Sequence, residues 1–78
     1  MECYVVENIK SLINFFGGKT KLSNITGVKY ETLKAIEKKD NMPTLYTVIK
    51  ISKALNITID QIVYEKMNME EFYGKKIL

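Results

Sequence analysis

The sequence contains no histidine, no arginine and no tryptophan, and Cys3 is its one cysteine. Without histidine and with one thiol, the usual zinc frameworks, Ser-His-Asp triads and Cys-His pairs cannot be assembled. One cysteine also cannot close a disulfide within the chain. We therefore expect that the protein is not an enzyme and that it holds neither a metal ion nor a cofactor.

All twelve basic residues are lysines, so the chain lacks the guanidinium fork that commonly reads guanine or clamps phosphate. The lysines are unevenly placed. Residues 19–39 carry six lysines against two glutamates, a local charge of +4, whereas the remainder carries six lysines against seven acids. Such a positive stretch is typical of a module that meets a polyanion with one face. A solvated pair of lysine-rich helices is the alternative that charge alone leaves open.

The length of 78 residues corresponds to one small domain, with no room for separate catalytic and cofactor domains. No apolar run approaches the roughly 18 residues of a membrane span. Glu2 and Glu7 stand where a signal peptide would carry cations. Together with the single cysteine, these features predict a cytoplasmic protein that does not contact a membrane.

Apolar residues recur at spacings of three and four along almost the whole chain, which predicts an all-α fold. Five helices are expected, over about 5–16, 19–25, 30–38, 45–55 and 59–66. Their inward-facing positions are predicted to be Val6, Ile9, Leu12, Ile13, Phe16, Leu22, Ile25, Leu33, Ile36, Leu45, Val48, Ile49, Ser52, Leu55, Ile59, Ile62 and Val63.

Several helix ends are marked by residues with known capping preferences. Thr44 is placed to cap the fourth helix, and Asn56, which tolerates the left-handed conformation, should end it. Thr58 and Gln61 have capping-box spacing for the fifth helix. The other end signals are the pair Gly17-Gly18 after the first helix and a second capping-box spacing, Asn68 and Glu71, in the tail.

The segment between Lys19 and Lys39 reads as two short helices joined by a three-residue turn that contains glycine, the geometry of a helix-turn-helix. Gly27 would supply the positive φ of the turn, and Ser23 is small where the two helices cross. The shared hydrophobic wedge is predicted to consist of Leu22, Val28, Leu33 and Ile36. Taken alone, Gly27 fits an ordinary helix end better, and it is the combination with Ser23, Val28 and Leu33 at fixed offsets that favours the helix-turn-helix.

The residues from Leu22 to Val63, LSNITGVKYETLKAIEKKDNMPTLYTVIKISKALNITIDQIV, resemble the helix-turn-helix domain of the phage Cro and cI repressor superfamily, often called the Xre family. The similarity begins near Ile9, and FFGGKTKLSNITGV is similar to the Cro-like form of this region. The matching motif positions are Leu22, Ser23, Gly27, Val28, Thr32, Leu33, Ile36, Glu37, Pro43, Leu45, the segment 50–55 and the segment 60–62.

The resemblance implies a small five-helix bundle of the lambda-repressor-like type. It implies a DNA-binding domain over residues 1–66, with the helix-turn-helix at about 19–38, and a tail over 67–78 that is able to add a helix. The implied function is that of a sequence-specific transcriptional regulator, a repressor of bacterial or phage type that reads the major groove of double-stranded DNA.

In this family the second helix of the motif enters the major groove and the first lies across the phosphate backbone. The residues that resemble base-reading positions are Lys29, Tyr30, Glu31 and Lys34. The predicted phosphate contacts are Lys19, Thr20, Lys21 and Lys38. Two alternatives stay open, because Tyr30 is equally suited to covering the wedge and Glu31 to pairing with Lys34 or Lys38 on the helix surface.

Three positions depart from the family pattern. Lys19 stands where many members have a glutamine that hydrogen-bonds a phosphate, which implies a charged contact instead. Lys29 replaces the common Ser or Thr cap of the recognition helix. Lys39 and Asp40 stand where the family often has Asn-Gly, which weakens the expectation of a tight helix end.

One small recognition helix supplies little contact, so the resemblance also implies a homodimer on paired half-sites. The candidate surface is the end of the fifth helix and the tail, where the apolar or aromatic residues are Tyr64, Met67, Met69, Phe72, Tyr73, Ile77 and Leu78. The alternative is that these residues fold back onto the first helix of the same chain. A protein-interaction module such as an antitoxin or anti-repressor is the competing function, with an acidic protein as its partner.

Overall fold

A computed structural model describes residues 3–71 of the chain. It contains α1 (Val5–Phe15), α2 (Lys19–Thr26), α3 (Tyr30–Lys39), α4 (Leu45–Leu55) and α5 (Ile59–Tyr64). A further helical turn begins at Met69 and continues to Glu71. The predicted all-α bundle is confirmed over the described residues, where every predicted helix boundary lies within two residues of the observed one.

The predicted caps of α4 and α5 are confirmed. The Thr44 hydroxyl accepts a hydrogen bond from the backbone N–H of Thr47 at 3.3 Å, and Asn56 ends α4 in the left-handed conformation with φ of 54°. At α5, the N–H of Gln61 donates to Thr58 Oγ1 at 3.0 Å and the N–H of Thr58 donates to Gln61 Oε1 at 3.0 Å. These bonds satisfy amide groups that a helix start leaves without an internal partner.

Two chain reversals on either side of α2 and α3 rest on left-handed residues. Gly17 and Gly18, with φ of 89° and 128°, end α1 as predicted. Asp40 ends α3 with φ of 54°, so the tight helix end is kept without the Asn-Gly pair of the family. The Asp40 carboxylate also forms an ion pair with Lys10 of α1.

The core consists of one cluster of buried side chains contributed by every helix. Its fully buried centre is formed by Ile9, Leu12, Leu22, Leu33, Ile36, Ile51, Ile57 and Ile62. Ile51 and the loop residue Ile57 were not among the predicted inward positions. On α4 the buried stripe runs through Thr47, Val48, Ile51 and Leu55.

Three predicted inward positions were wrong. Ile25, Leu45 and Ile59 are 46%, 66% and 39% exposed. Leu45 and Ile59 are the first residues of their helices, where the chain has not completed a turn against the core. On α2 the stripe continues from Leu22 to Thr26, four residues on, and this leaves Ile25 on the outside.

Asn8 joins α1 to the end of α5 and was not singled out from the sequence. Its side chain is buried, and its Nδ2 donates to the carbonyl oxygens of Ile62 at 2.6 Å and Glu65 at 2.7 Å. Its Oδ1 accepts from the N–H of Met67 at 3.1 Å. The side chain therefore satisfies the carbonyls at the C-terminal end of α5, which ends at Tyr64, two residues before the predicted end.

The segment after α5 returns to the core. Met69 is buried and lines a cavity with Ser11, Asn14 and Phe15 of α1, and Asn68 Oδ1 accepts from the N–H of Glu71 at 3.1 Å. For Met69, this is the arrangement in which the tail folds back onto the first helix. The predicted surface residues at 72, 73, 77 and 78 lie outside the described residues. Within residues 3–71, none of the helices combines the length and apolar character of a membrane crossing.

Candidate nucleic-acid interface

The turn between α2 and α3 is held by hydrogen bonds of two local side chains, Ser23 and Thr26, and of backbone groups within the turn. Gly27 adopts φ of 78°, as predicted, and its N–H donates to the Ser23 carbonyl at 2.8 Å. The Ser23 hydroxyl donates to the Val28 carbonyl at 2.6 Å. Thr26 Oγ1 donates to the Leu22 carbonyl at 2.8 Å and accepts from the N–H of Val28 at 3.2 Å. The direction in which α3 leaves the turn is thereby fixed.

The hydrophobic wedge beneath the turn is formed as predicted. Leu22 and Leu33 are completely buried, and Val28 and Ile36 are 3% and 1% exposed. Burial of these four side chains aligns α2 and α3 against the core, because each of the two helices has its buried apolar side chains on one face only. The opposite face of α3 is therefore the one that meets solvent.

Seven of the eight predicted site residues are exposed on α2, on α3 or at the N-cap of α3. They are Thr20, Lys21, Lys29, Tyr30, Glu31, Lys34 and Lys38. Lys29 is the N-cap residue of α3 and makes no side-chain capping bond, as its replacement of Ser or Thr implies. Among the described residues, Glu31 forms no ion pair with Lys34 or Lys38, and Lys38 lies 3.5 Å from Glu37 instead.

Lys19, the eighth predicted residue, is engaged within the protein. Its ammonium donates to Glu37 Oε1 at 2.6 Å, and the two side chains are only 17% and 25% exposed. The same ammonium lies 5.8 Å from the centre of the Tyr30 ring. The hydrogen bond between the two groups raises the pKa of Lys19 and lowers the pKa of Glu37, while partial burial opposes both shifts.

Lys50 of α4 also reaches the turn, which the sequence did not predict. Its ammonium donates to the Gly27 carbonyl at 3.1 Å and lies 4.6 Å from the centre of the Tyr46 ring. The spacing of four between Tyr46 and Lys50 places them on one helix face, and this was the available signal. The turn to which Lys50 binds is distant in sequence and gave no signal.

A groove of about 550 Å³ lies beside α3, between this helix, the loop that follows it and the start of α4. Two predicted base-reading residues, Lys29 and Glu31, line one side of the groove, and Met42 and Tyr46 line the other. Met42 and Tyr46 are 65% and 67% exposed. The outer surface of the motif thus continues onto α4 as a mixed apolar and basic surface.

Comparisons with known proteins agree with this geometry. A family model described as helix-turn-helix matches residues 17–62, more than half of the chain. The whole structure is similar to the crystal structure of a transcriptional regulator from Listeria innocua, with a TM-score of 0.65, 16% sequence identity, and coverage of 99% of this chain and 74% of that one. At that identity the likeness concerns the fold alone. No curated protein matches the sequence. The predicted family is thus confirmed, and the chain belongs to the Xre-like helix-turn-helix family.

Proposed function

We propose that this protein is a sequence-specific DNA-binding transcriptional regulator, a repressor, whose helix α3 enters the major groove of the duplex. One observation carries the proposal. The N-cap and the first turns of α3 expose Lys29, Tyr30, Glu31 and Lys34, while Leu33 and Ile36 of the same helix are buried, and a left-handed turn at Gly27 precedes the helix. A helix presented in this way fits the major groove, where base edges differ in their donors and acceptors.

The proposed roles follow from the chemistry of each side chain. Lys34 donates to guanine or thymine acceptors, and Glu31 accepts from the amino group of cytosine. Tyr30 contacts a thymine methyl group or a phosphate, and Lys29 adds a cation at the edge of the groove. Thr20, Lys21 and Lys38 contact phosphates, which fix the register of the protein without reading sequence. Lys19 has the same predicted role, but its ammonium forms an ion pair with Glu37.

The absence of arginine shapes the expected mode of binding. Lysine is a compact point charge and does not make the bidentate contact through which arginine reads guanine. We therefore expect phosphate contacts to supply most of the affinity and base contacts to supply modest discrimination. Affinity should then fall steeply with salt, because each neutralised phosphate releases counterions.

The direct test is to select preferred duplexes from a random pool and to titrate the best one at several salt concentrations. The proposal predicts saturable binding whose logarithm falls linearly with the logarithm of salt concentration. Lys53→Ala serves as the control, because Lys53 is exposed on α4 and lies outside the proposed surface. Failure to enrich any duplex, or an affinity that does not change with salt, would contradict the proposal.

We further propose that the protein binds paired half-sites as a homodimer through its C-terminal segment. Tyr64 is 51% exposed and is available to a dimer surface. Met69 is buried within the protomer and is not available to it. A truncation at Lys66 would remove core side chains, so the test compares the full chain with one that ends at Glu71. Sedimentation should show a dimer for the full chain only, and a full chain that stays monomeric on its operator would refute this arrangement.

A protein-interaction module, such as an antitoxin or anti-repressor, is the second candidate. The observation that favours it is the exposure of three large apolar side chains, Met42 in the loop before α4 and Leu45 and Tyr46 in the first turn of α4. Apolar clusters of this kind are typical of protein contacts. The two candidates differ in salt dependence, because a contact through these side chains would keep its affinity at salt concentrations that abolish binding to duplex DNA.

A further inference from the structure

We infer that Lys19 and Lys50 are positioning residues that hold the recognition helix α3 and do not bind phosphate. The inference rests on the proposed DNA-binding function and divides the lysines of the surface into two classes. One class is exposed and free to neutralise phosphates. In the other class, the ammonium group contacts α3 or the turn that precedes it.

The contacts of Lys19 join the first residue of α2 to two side chains of α3. Tyr30 and Glu37 are seven residues apart, which is about two helical turns, so both lie on one face of α3. The Lys19 ammonium binds Glu37 at 2.6 Å and lies 5.8 Å from the Tyr30 ring. A cation in this position fixes the rotation of α3 relative to α2 and orients Tyr30, which the proposed function places at the DNA.

The pairing with Glu37 also removes Lys19 from the group of phosphate ligands. The pair has no net charge, so its approach to DNA releases no counterion. Moving the ammonium to a phosphate would leave the Glu37 carboxylate, only 25% exposed, without its closest cation and near a polyanion. Lys21 and Lys34 differ, because both are exposed and neither forms an ion pair within the described residues.

Lys50 acts on the N-terminal end of α3, through the turn that precedes it. Gly27 caps the C-terminus of α2, where carbonyl oxygens carry partial negative charge, and its carbonyl accepts from the Lys50 ammonium at 3.1 Å. The Tyr46 ring, 4.6 Å away, holds the same ammonium from the side of α4. Lys50 therefore connects α4 to the turn between α2 and α3.

The two classes are separated by substituting each lysine with glutamine and measuring DNA affinity as a function of salt. Lys21→Gln should lower the slope of log affinity against log salt by about one unit and leave the midpoint of thermal unfolding unchanged. Lys50→Gln, and the double variant Lys19→Gln with Glu37→Gln, which removes the pair without leaving an unpaired carboxylate, should keep the slope, lower the thermal midpoint, and weaken binding by about three- to tenfold at every salt concentration. A slope that falls by about one unit for either of them would overturn the inference for the lysine concerned.

Glu37→Gln gives the opposite test of Lys19. Loss of the carboxylate frees the ammonium, so the salt slope should rise by about one unit. Tyr46→Phe should behave as the unaltered protein and Tyr46→Leu as a partial copy of Lys50→Gln, since the ring but not the hydroxyl holds the ammonium. An unchanged salt slope for Glu37→Gln would contradict the positioning role of Lys19. Unchanged DNA affinity and thermal midpoint for Tyr46→Leu would contradict the positioning role of Lys50.

Thermal unfolding without DNA separates failure of the inference from failure of the proposed function. The double variant Lys19→Gln with Glu37→Gln should lower the midpoint by less than the sum of the two single variants, which is the signature of an interacting pair. Additive effects would overturn the Lys19 part even if DNA binds. If the effects on the midpoint are non-additive but the protein binds no duplex, the proposed function is refuted, and the positioning role with it. The ion pair between Lys19 and Glu37 would still be supported.

Discussion

The left-handed turn at Gly27 predicts a graded loss of stability when a side chain is introduced there. Gly27 has φ of 78° and ψ of 5°, and a Cβ built on it meets no atom of the described residues within 4 Å. The loss should therefore come from backbone strain and not from crowding of the wedge. Left-handed geometry costs an L-residue about 1–2 kcal/mol, and a less flexible unfolded chain returns about 0.4–1 kcal/mol for alanine.

The series Gly27→Asn, Gly27→Ala and Gly27→Val measures this strain. Asparagine tolerates the conformation and should cost no more than about 0.5 kcal/mol. Alanine should cost about 1 kcal/mol, and valine, which is branched at Cβ, about 2–3 kcal/mol. Because 1 kcal/mol lowers the midpoint of a domain of this size by about 4–8 °C, the three variants should be resolved by thermal unfolding. Denaturant unfolding gives the free energies independently.

Asn24→Ala is the matched control, because Asn24 is exposed on α2 one turn before Gly27 and should change stability by no more than about 0.5 kcal/mol. If Gly27→Val unfolds at the same midpoint as the unaltered protein, residue 27 is not left-handed. If Gly27→Ala lowers the free energy of unfolding as much as Gly27→Val does, crowding dominates over strain. The absence of neighbouring atoms around a Cβ at residue 27 would then be wrong.

Three further predictions concern the core and the Lys19–Glu37 pair. Asn8→Ala should destabilise the fold by about 2–4 kcal/mol in denaturant unfolding, because it leaves buried carbonyl groups without a donor, and a loss below about 0.5 kcal/mol would contradict its bonds. Met69→Ala should cost about 2 kcal/mol or more by removing a buried side chain, whereas an exposed tail would show no loss. The pKa of Glu37 is lowered in the folded state, so its stabilisation is present above the unfolded pKa and is lost as pH falls through the folded pKa. Glu37→Gln should therefore reduce the acid-side decline of stability followed down to about pH 3, and an unchanged decline would refute the pair.

The helix ends and the turn could be predicted from the sequence because their causes are local. Thr58 and Gln61 cap a helix through groups three residues apart, and Gly27 and Asn56 adopt a left-handed conformation that few other residues favour. Such contacts depend on neighbours within one turn of the chain. Short-range spacing was therefore sufficient to place them.

The missed contacts join residues that are far apart in sequence. Asn8 binds carbonyls more than fifty residues away, and Lys50 binds the carbonyl of Gly27 across 23 residues. Lys19 was predicted to face DNA because its charge and position were visible, whereas its partner Glu37 lies 18 residues further on. A sequence pattern indicates which face of a helix is polar, but it does not indicate which polar groups meet across helices.

The measurement that tests the central claim most directly compares Lys34→Ala and Lys21→Ala on the preferred duplex and on a scrambled one. If α3 reads the major groove, Lys34→Ala should lose about 1–3 kcal/mol on the preferred duplex and little on the scrambled one. Lys21→Ala should weaken both duplexes alike and reduce the salt slope by about one unit. Unchanged binding by both variants, with their folds intact, would contradict the assignment of this face to DNA.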